Sequence, residues 1–253
     1  MSRIRIQHTA VARYPDDAAA PAAHYEARLV PASGQGQFVL QSSLELDPAA
    51  PTQQYTDYWG TRVVVFDLHR PHREARVVAE SLVDVAPRSR PPASLDWDAV
   101  LAAVPSRVGL LEQAAPSEHA VADEALVDLA LRAKGLGAPI LEAAGEIATA
   151  ASDAHAAIGS LRRAGVPARL VVGYRHPLDA EPGAEVDGAP VHWFECWNGA
   201  WRGVDLGTGE EVGAGHVRLG RARDAADLAP LRGLAAGVAA IERIDRVTTV
   251  LEA

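Results

Sequence analysis

The chain has 253 residues, 48% of them hydrophobic, with 24 Lys and Arg against 33 Asp and Glu and a formal net charge of −9. That is enough apolar chain for one large domain or two small ones, and an acidic balance without any basic block argues against nucleic acid and anionic membrane as partners. The single cysteine, Cys196, excludes an internal disulfide and any multi-thiolate zinc site.

In chain order, the start MSRIRIQHTAV lacks the basic, apolar, small-residue order of a signal peptide. No apolar run approaches the ~20 residues of a membrane span, so a cytoplasmic protein is expected. Residues 1–85 alternate apolar and polar side chains in short runs, RIRIQHTA, FVLQSSLELD, TRVVVFDLH and EARVVAESLVDV. Pro, Gly and Asp separate them, which is how half-buried antiparallel strands of a β-sandwich read. APRSRPPASLDWD at 86–98 reads as a linker, dividing a first domain at 1–88 from a second at 89–253. From there to Gly165 the chain is rich in Ala and Leu at helical spacing, as in Ala125, Leu126, Leu129, Ala130 and Ala133. The Ala-rich stretches at 18–23 and 148–157 read as loop and helix.

Gly165 and Pro167 stop the helical region. ARLVVGY, VHWFECW and AWRGVDL then read as strands, the last two joined by Asn198-Gly199, the strongest short-range hairpin signal. The fold class is α+β: an antiparallel β-sandwich followed by a core in which a helix packs on an antiparallel sheet. No metal spacing such as His-Glu-x-x-His is present, and no cofactor is implied.

The run from 149 to 174, TAASDAHAAIGSLRRAGVPARLVVGY, combines a helix, Gly-Val-Pro-Ala-Arg and a strand ending Gly-Tyr. A Trp-x-Glu strand and a hairpin leading to an Asp follow. Together these resemble the core of the bacterial transglutaminase-like family, which belongs to the papain-like cysteine enzymes. YTDYWGTRVVVFDLHRPHREARVVAESLVDV at 55–85 is similar to that family's N-terminal β domain, and GHVRLGRARDAADLAPLRG at 215–233 to its C-terminal signature.

The resemblance also implies a loss. In the family the helix opens Gly-Val-Cys-Gln-Asp-Phe-Ala-His, with the Cys as nucleophile. Aligning its Ala and His on Ala154 and His155 puts the Cys position at Ala150. A methyl group supplies neither the charge nor the lone pair that acyl transfer needs. The segment PILEAAGEIATAASDAHAAIGSLRRAG contains no internal Pro, so it reads as one continuous helix with Ala150 in its middle, away from any free helix N-terminus.

Two registers compete for the His. Matching Trp193, Glu195 and Trp197 to the family's His-Ala-Trp-x-Glu places Val191 at the His position and turns His192 to the opposite face. A two-residue Asn198-Gly199 turn instead sets His192 opposite Asp205. The motif register is preferred, and Asp205 is the remnant common to both.

Other reactive side chains read as structural. Cys196 lies four residues along a strand from His192, about 13 Å at ~3.3 Å per residue, and reads as a buried thiol. Ser152 points away from the old nucleophile direction, and His155 is expected to pack or bond within the core. His69 and His72 read as strand-end and turn residues, and Trp193, Trp197 and Trp201 as hairpin and core aromatics.

Two functions remain open. One is a pseudoenzyme, a non-catalytic binding or assembly component with a protein partner or peptide ligand. The other is an enzyme with new chemistry in the old cleft, using His192, Asp205, His155 or His176. The sequence does not indicate the oligomeric state.

Overall fold

Alternation in SRIRIQHTAVAR produces strand β1, Ser2–Arg13, with Ile4, Ile6, His8, Ala10 and Ala12 buried on one side. The computed structural model describes residues 1–15, 19–86, 94–237 and 241–252. The same period of two gives β3 (Gln37–Asp47), β5 (Arg62–Leu68) and β6 (Glu74–Val85) as expected, with β2 (Ala23–Ala27) and β4 (Thr52–Thr56) between them. No helix lies in 60–85. Residues 87–93 of the expected linker and part of the 18–23 stretch lie outside the described residues.

The helices follow: α1 (Trp97–Ala103), α2 (Val108–Ala114), α3 (Glu124–Gly135), α4 (Ile140–Ala150) and α5 (Ala154–Arg163). Asp96, Asp123 and Asp153 cap α1, α3 and α5 through side-chain oxygens. α5 ends in a Schellman arrangement, with Gly165 N–H donating to Arg162 O and Val166 N–H to Leu161 O. The remaining strands are β7 (Ala168–Arg175), β8 (Glu185–Gly188), β9 (Val191–Trp197), β10 (Trp201–Val204), β11 (His216–Ala222), β12 (Leu231–Ala235) and β13 (Glu242–Glu252).

These strands form three antiparallel sheets, ordered β3-β6-β1-β13-β8, β12-β2-β5-β4 and β10-β9-β7-β11. The first two enclose a core of Ala10, Ala12, Tyr25, Val64, Phe66 and Val77. The near ends of the same long strands, Ile4, Ile6, Val83 and Val85, join the helices and the third sheet in a second core. Removing Ile4 or Ile6 to Ala would cost about 2–5 kcal/mol by cavity formation. His8 sits where the two cores meet, its Nδ1 2.9 Å from the Tyr174 hydroxyl and its Nε2 2.9 Å from Asp245.

The expected division at 88/89 separates the sandwich strands β1–β6 from the helices, but β8, β12 and β13 return from the second segment to pair in the first two sheets. The last strand, β13, is hydrogen-bonded along eleven residues of β1. The cause is that a long, half-buried β1 needs partners on both edges, and β6 supplies only one of them.

The expected continuous helix is broken. Ala151 is extended and Asp153 has φ −160 and ψ 177, with its carboxylate accepting from His155 N–H at 2.8 Å and Ala156 N–H at 2.9 Å. A short acidic side chain that bonds the next backbone donors competes with helix continuation. Ala150 is therefore the exposed last residue of α4, not a mid-helix residue.

Candidate functional site

The positions marked by the family motifs gather at one end of the third sheet, where β7 and β10 finish and β9 and β11 begin. Register there depends on the β9–β10 hairpin. Trp197 pairs with Trp201 and Phe194 with Val204, so the loop holds three residues, Asn198 to Ala200, not two. Asn198 is buried; its carbonyl accepts from Leu95 N–H at 2.7 Å and its side chain bonds Ser94. This tie to the segment before α1 lengthens the turn by one residue. Continued one residue past the last pair, the same register would bring Asp205 to Trp193, not to His192.

The pairing of His192 with Asp205 expected from a two-residue turn is thereby overturned. Val191, paired with Gly173, shares its face with Trp193 and Glu195, while His192, paired with Val172, shares the face of Phe194 and Cys196. That second face, with Leu170 and Val172, packs with Ile158 and Leu161 of α5 in the core. His192 is exposed at the rim of this face. Burial of its surroundings, and then the neighbouring His155, hold its imidazole below the ordinary histidine value. His155 itself is half-buried, with Nε2 lacking a hydrogen-bond partner.

Asp205 has other partners. Its Oδ2 lies 3.0 Å from His216 Nε2 and 3.6 Å from Arg175 Nη1. Its Oδ1 accepts from Gly207 N–H at 2.8 Å and Thr208 N–H at 3.0 Å. Gly213 N–H donates to His216 Nδ1 at 3.3 Å, which assigns the proton to Nε2 and makes that atom the donor to Asp205. Burial would raise the Asp205 carboxyl, but the His216 bond, the Thr208 N–H, Arg175 and the Gly207 N–H outweigh it and hold it below the usual carboxylate value. The imidazole at Asp205 therefore has no free lone pair for proton abstraction.

The loop carrying these donors rests on α4. A Cβ on Gly145 would lie 2.6 Å from Gly209 O, so the two backbones meet through glycine alone. At the same end, position 150 offers a methyl group and Ser152 stands exposed in the α4–α5 bend. Cys196 is fully buried on β9, and burial pushes its thiol up to about 12. His176 is also buried, its Nδ1 2.9 Å from Thr249 Oγ1 and its value lowered by burial. Among the described residues no three His, Cys, Asp or Glu side chains group as a metal site would need, and no helix is long and apolar enough to cross a membrane.

Sequence reasoning singled out Asp205 but missed His216 and Arg175. His216 stands 11 residues beyond Asp205 and reaches it only because β11 pairs with β7, a non-local contact with no local sequence signal.

Residues 4–84 match the model of the bacterial transglutaminase-like N-terminal region. An uncharacterised protein of Mycobacterium leprae is 31% identical over 94% of both chains. The chain belongs to the bacterial transglutaminase-like family. An uncharacterised Mycobacterium tuberculosis protein is 28% identical over 92% of this chain and 87% of its own. A Cytophaga hutchinsonii crystal structure, solved as a candidate cysteine protease, covers 99% of this chain and 90% of its own at TM-score 0.72 and 17% identity. That likeness shows that the two chains share one α+β fold.

Proposed function

We propose that this chain is a non-catalytic member of the transglutaminase-like family that works by binding a protein or peptide partner. The observation that carries the reading is the commitment of Asp205 to His216 and Arg175, beside a methyl at position 150 and an aliphatic side chain at Val191. An acyl-transfer site needs a thiolate or alkoxide with a proton-accepting imidazole in reach; here position 150 offers no nucleophilic atom, and the imidazole at Asp205 has its Nδ1 lone pair engaged by Gly213 N–H. A cytoplasmic setting accords with one buried, unpaired thiol.

A second reading, chemistry repurposed around His192, is favoured by one feature: an exposed imidazole held below the ordinary histidine value beside His155 at the start of α5. Turnover of p-nitrophenyl acetate and of glutamine-containing peptides, compared between the unmodified protein, His192→Ala and Asp205→Asn, separates the two. Rates equal to buffer for all three support the binding reading. A rate above buffer that falls in His192→Ala favours the second.

A further inference from the structure

On the face of the third sheet turned away from α5, three arginines and one glutamate share one side. Arg169 of β7 engages Glu195 of β9 through Nε at 2.7 Å and Nη2 at 2.5 Å. Arg218 and Arg221 stand three apart on β11, a spacing that would normally send them to opposite faces. A β-bulge between Arg218 and Gly220 sets Arg218 level with Gly173 and Arg221 level with Val171, both on one side. Burial, resisted by Glu195, and then the like charge of Arg221 depress the Arg218 guanidinium.

Neither Arg218 nor Arg221 forms an ion pair among the described residues. Instead both donate to one neutral atom, Gln35 Oε1, at 2.9 Å and 3.0 Å. Their other acceptors, Gly34 O and Trp59 O, are also uncharged. The nearby acids are occupied elsewhere: Asp57 Oδ1 accepts from Trp59 N–H and Thr61 N–H, Asp227 accepts from Trp59 Nε1, Asp84 is held by Arg3 and Glu211 by Arg202.

Gln35 reaches this place through backbone that disfavours it. Gly34, Gln35 and Gly36 have φ of 137, 52 and 82, and among the described residues Gln35 is the non-glycine residue held at positive φ. Such a conformation persists only where its surroundings enforce it, and it concentrates at binding loops. Gln35 is exposed and, with Phe38, Glu195, Trp201 and Arg218, lines a groove of about 570 Å³.

We propose that this groove is a binding site for a carboxylate on a short extended peptide, whose anionic oxygens take the place of Gln35 Oε1 between Arg218 and Arg221. Guanidinium forks match carboxylates in bidentate geometry, and Phe38 and Trp201 offer aromatic surface for a neighbouring side chain. In a chain of net charge −9, Arg218 lines this groove and Arg221 reaches it through the shared Gln35 Oε1. The two carboxylates of the lining, Glu195 and Glu211, are held by Arg169 and Arg202, so the groove selects its ligand by sign. The assignment rests on the binding reading above for its biological sense, but not for its geometry.

The probes are Ac-Ala-Leu-Glu-NH2 for a side-chain carboxylate, Ac-Ala-Ala-Leu-OH for a terminal one, their neutral amide counterparts, and inorganic phosphate. Binding is read by tryptophan fluorescence and the Nε resonances of labelled arginine. One carboxylate peptide is expected to bind at least ~10-fold tighter than its amide, matching the strength of charge-assisted bonds, and Arg221→Gln is expected to remove that preference. Gln35→Ala, which leaves both arginines in place, should keep or strengthen binding, so a misfolded arginine variant does not decide the matter. Gln35→Glu supplies the anion internally and is expected to raise the thermal midpoint while abolishing peptide binding.

Equal affinity for acid and amide, tighter binding of phosphate than of either peptide, or a Gln35→Glu variant that binds as before would overturn the assignment. Mass spectrometry of the same mixtures separates the two readings. Peptide that binds and is chemically altered contradicts the non-catalytic reading and leaves the groove assigned, whereas peptide that neither binds nor changes contradicts the groove alone.

Discussion

Restoring the missing side chains, Ala150→Cys with Val191→His, is expected to give a protein without chemistry. Cys196 is first replaced by Ala, because a buried serine hydroxyl there would cost about 1–3 kcal/mol if unpaired. Position 150 is the last residue of α4, at the negative end of its peptide dipoles. A thiolate there is disfavoured by ~0.3–1 kcal/mol, which at 1.36 kcal/mol per pH unit raises the thiol about 0.2–0.7 units above its ordinary ~8.5. At neutral pH about one molecule in 50 to 160 would carry the thiolate. The activating position, the N-terminus of α5, already holds the Asp153 carboxylate, which accepts two backbone N–H bonds. A histidine at 191 would also project on the Trp193 face, away from the side packed on α5. The assay is the pH dependence of iodoacetamide alkylation at residue 150, followed by mass spectrometry, beside p-nitrophenyl acetate turnover. An inflection at or above ~8.5 is expected. An inflection well below 7 with turnover tracking it would refute the reasoning.

Three further outcomes follow from the same geometry. Cys196 should resist thiol reagents in the folded protein and react at once in urea, since its thiol is buried and raised to about 12; fast labelling of the native state would count against this. Gly145→Ala gains ~1 kcal/mol of helix propensity but drives a Cβ to 2.6 Å from Gly209 O, an overpacking cost of about 1–3 kcal/mol, so urea denaturation should show no gain and a loss of up to ~2 kcal/mol; a more stable variant would show that the 205–209 loop yields freely. Asp205 is held below its ordinary value, so the stability it contributes is complete above ~3.9 and is lost as pH falls through the lower folded value. Below pH ~4 the unmodified protein should therefore lose stability more steeply than Asp205→Asn, and parallel acid limbs would contradict the assigned contacts.

The sandwich strands were legible because period-two alternation in RIRIQHTA or EARVVAESLVDV states both the element and its buried face. What alternation does not state is the partner, so the return of β13 to β1 was not readable from ERIDRVTTVLE. The helix break was missed because Asp153 acts through hydrogen bonds to His155 and Ala156, where a search for Pro and Gly finds nothing. The His192 register failed for a tertiary reason: Asn198 is tied to Ser94 and Leu95, and one added turn residue reverses every side chain beyond it. At the site, the position of Asp205 was readable from the motif, whereas its partner His216 depends on which strand lies beside β7.

The most direct test of binding without chemistry is a single titration with two readouts. Ac-Ala-Leu-Glu-NH2, Ac-Ala-Ala-Leu-OH and a glutamine-containing peptide with a primary amine present are incubated with the protein, binding is followed by fluorescence, and every peptide is recovered and weighed by mass spectrometry. Saturable binding with all peptide masses unchanged after long incubation is the expected result. A peptide recovered cleaved, deamidated or joined to the amine, with the change abolished in Asp205→Asn or His192→Ala, would contradict the account.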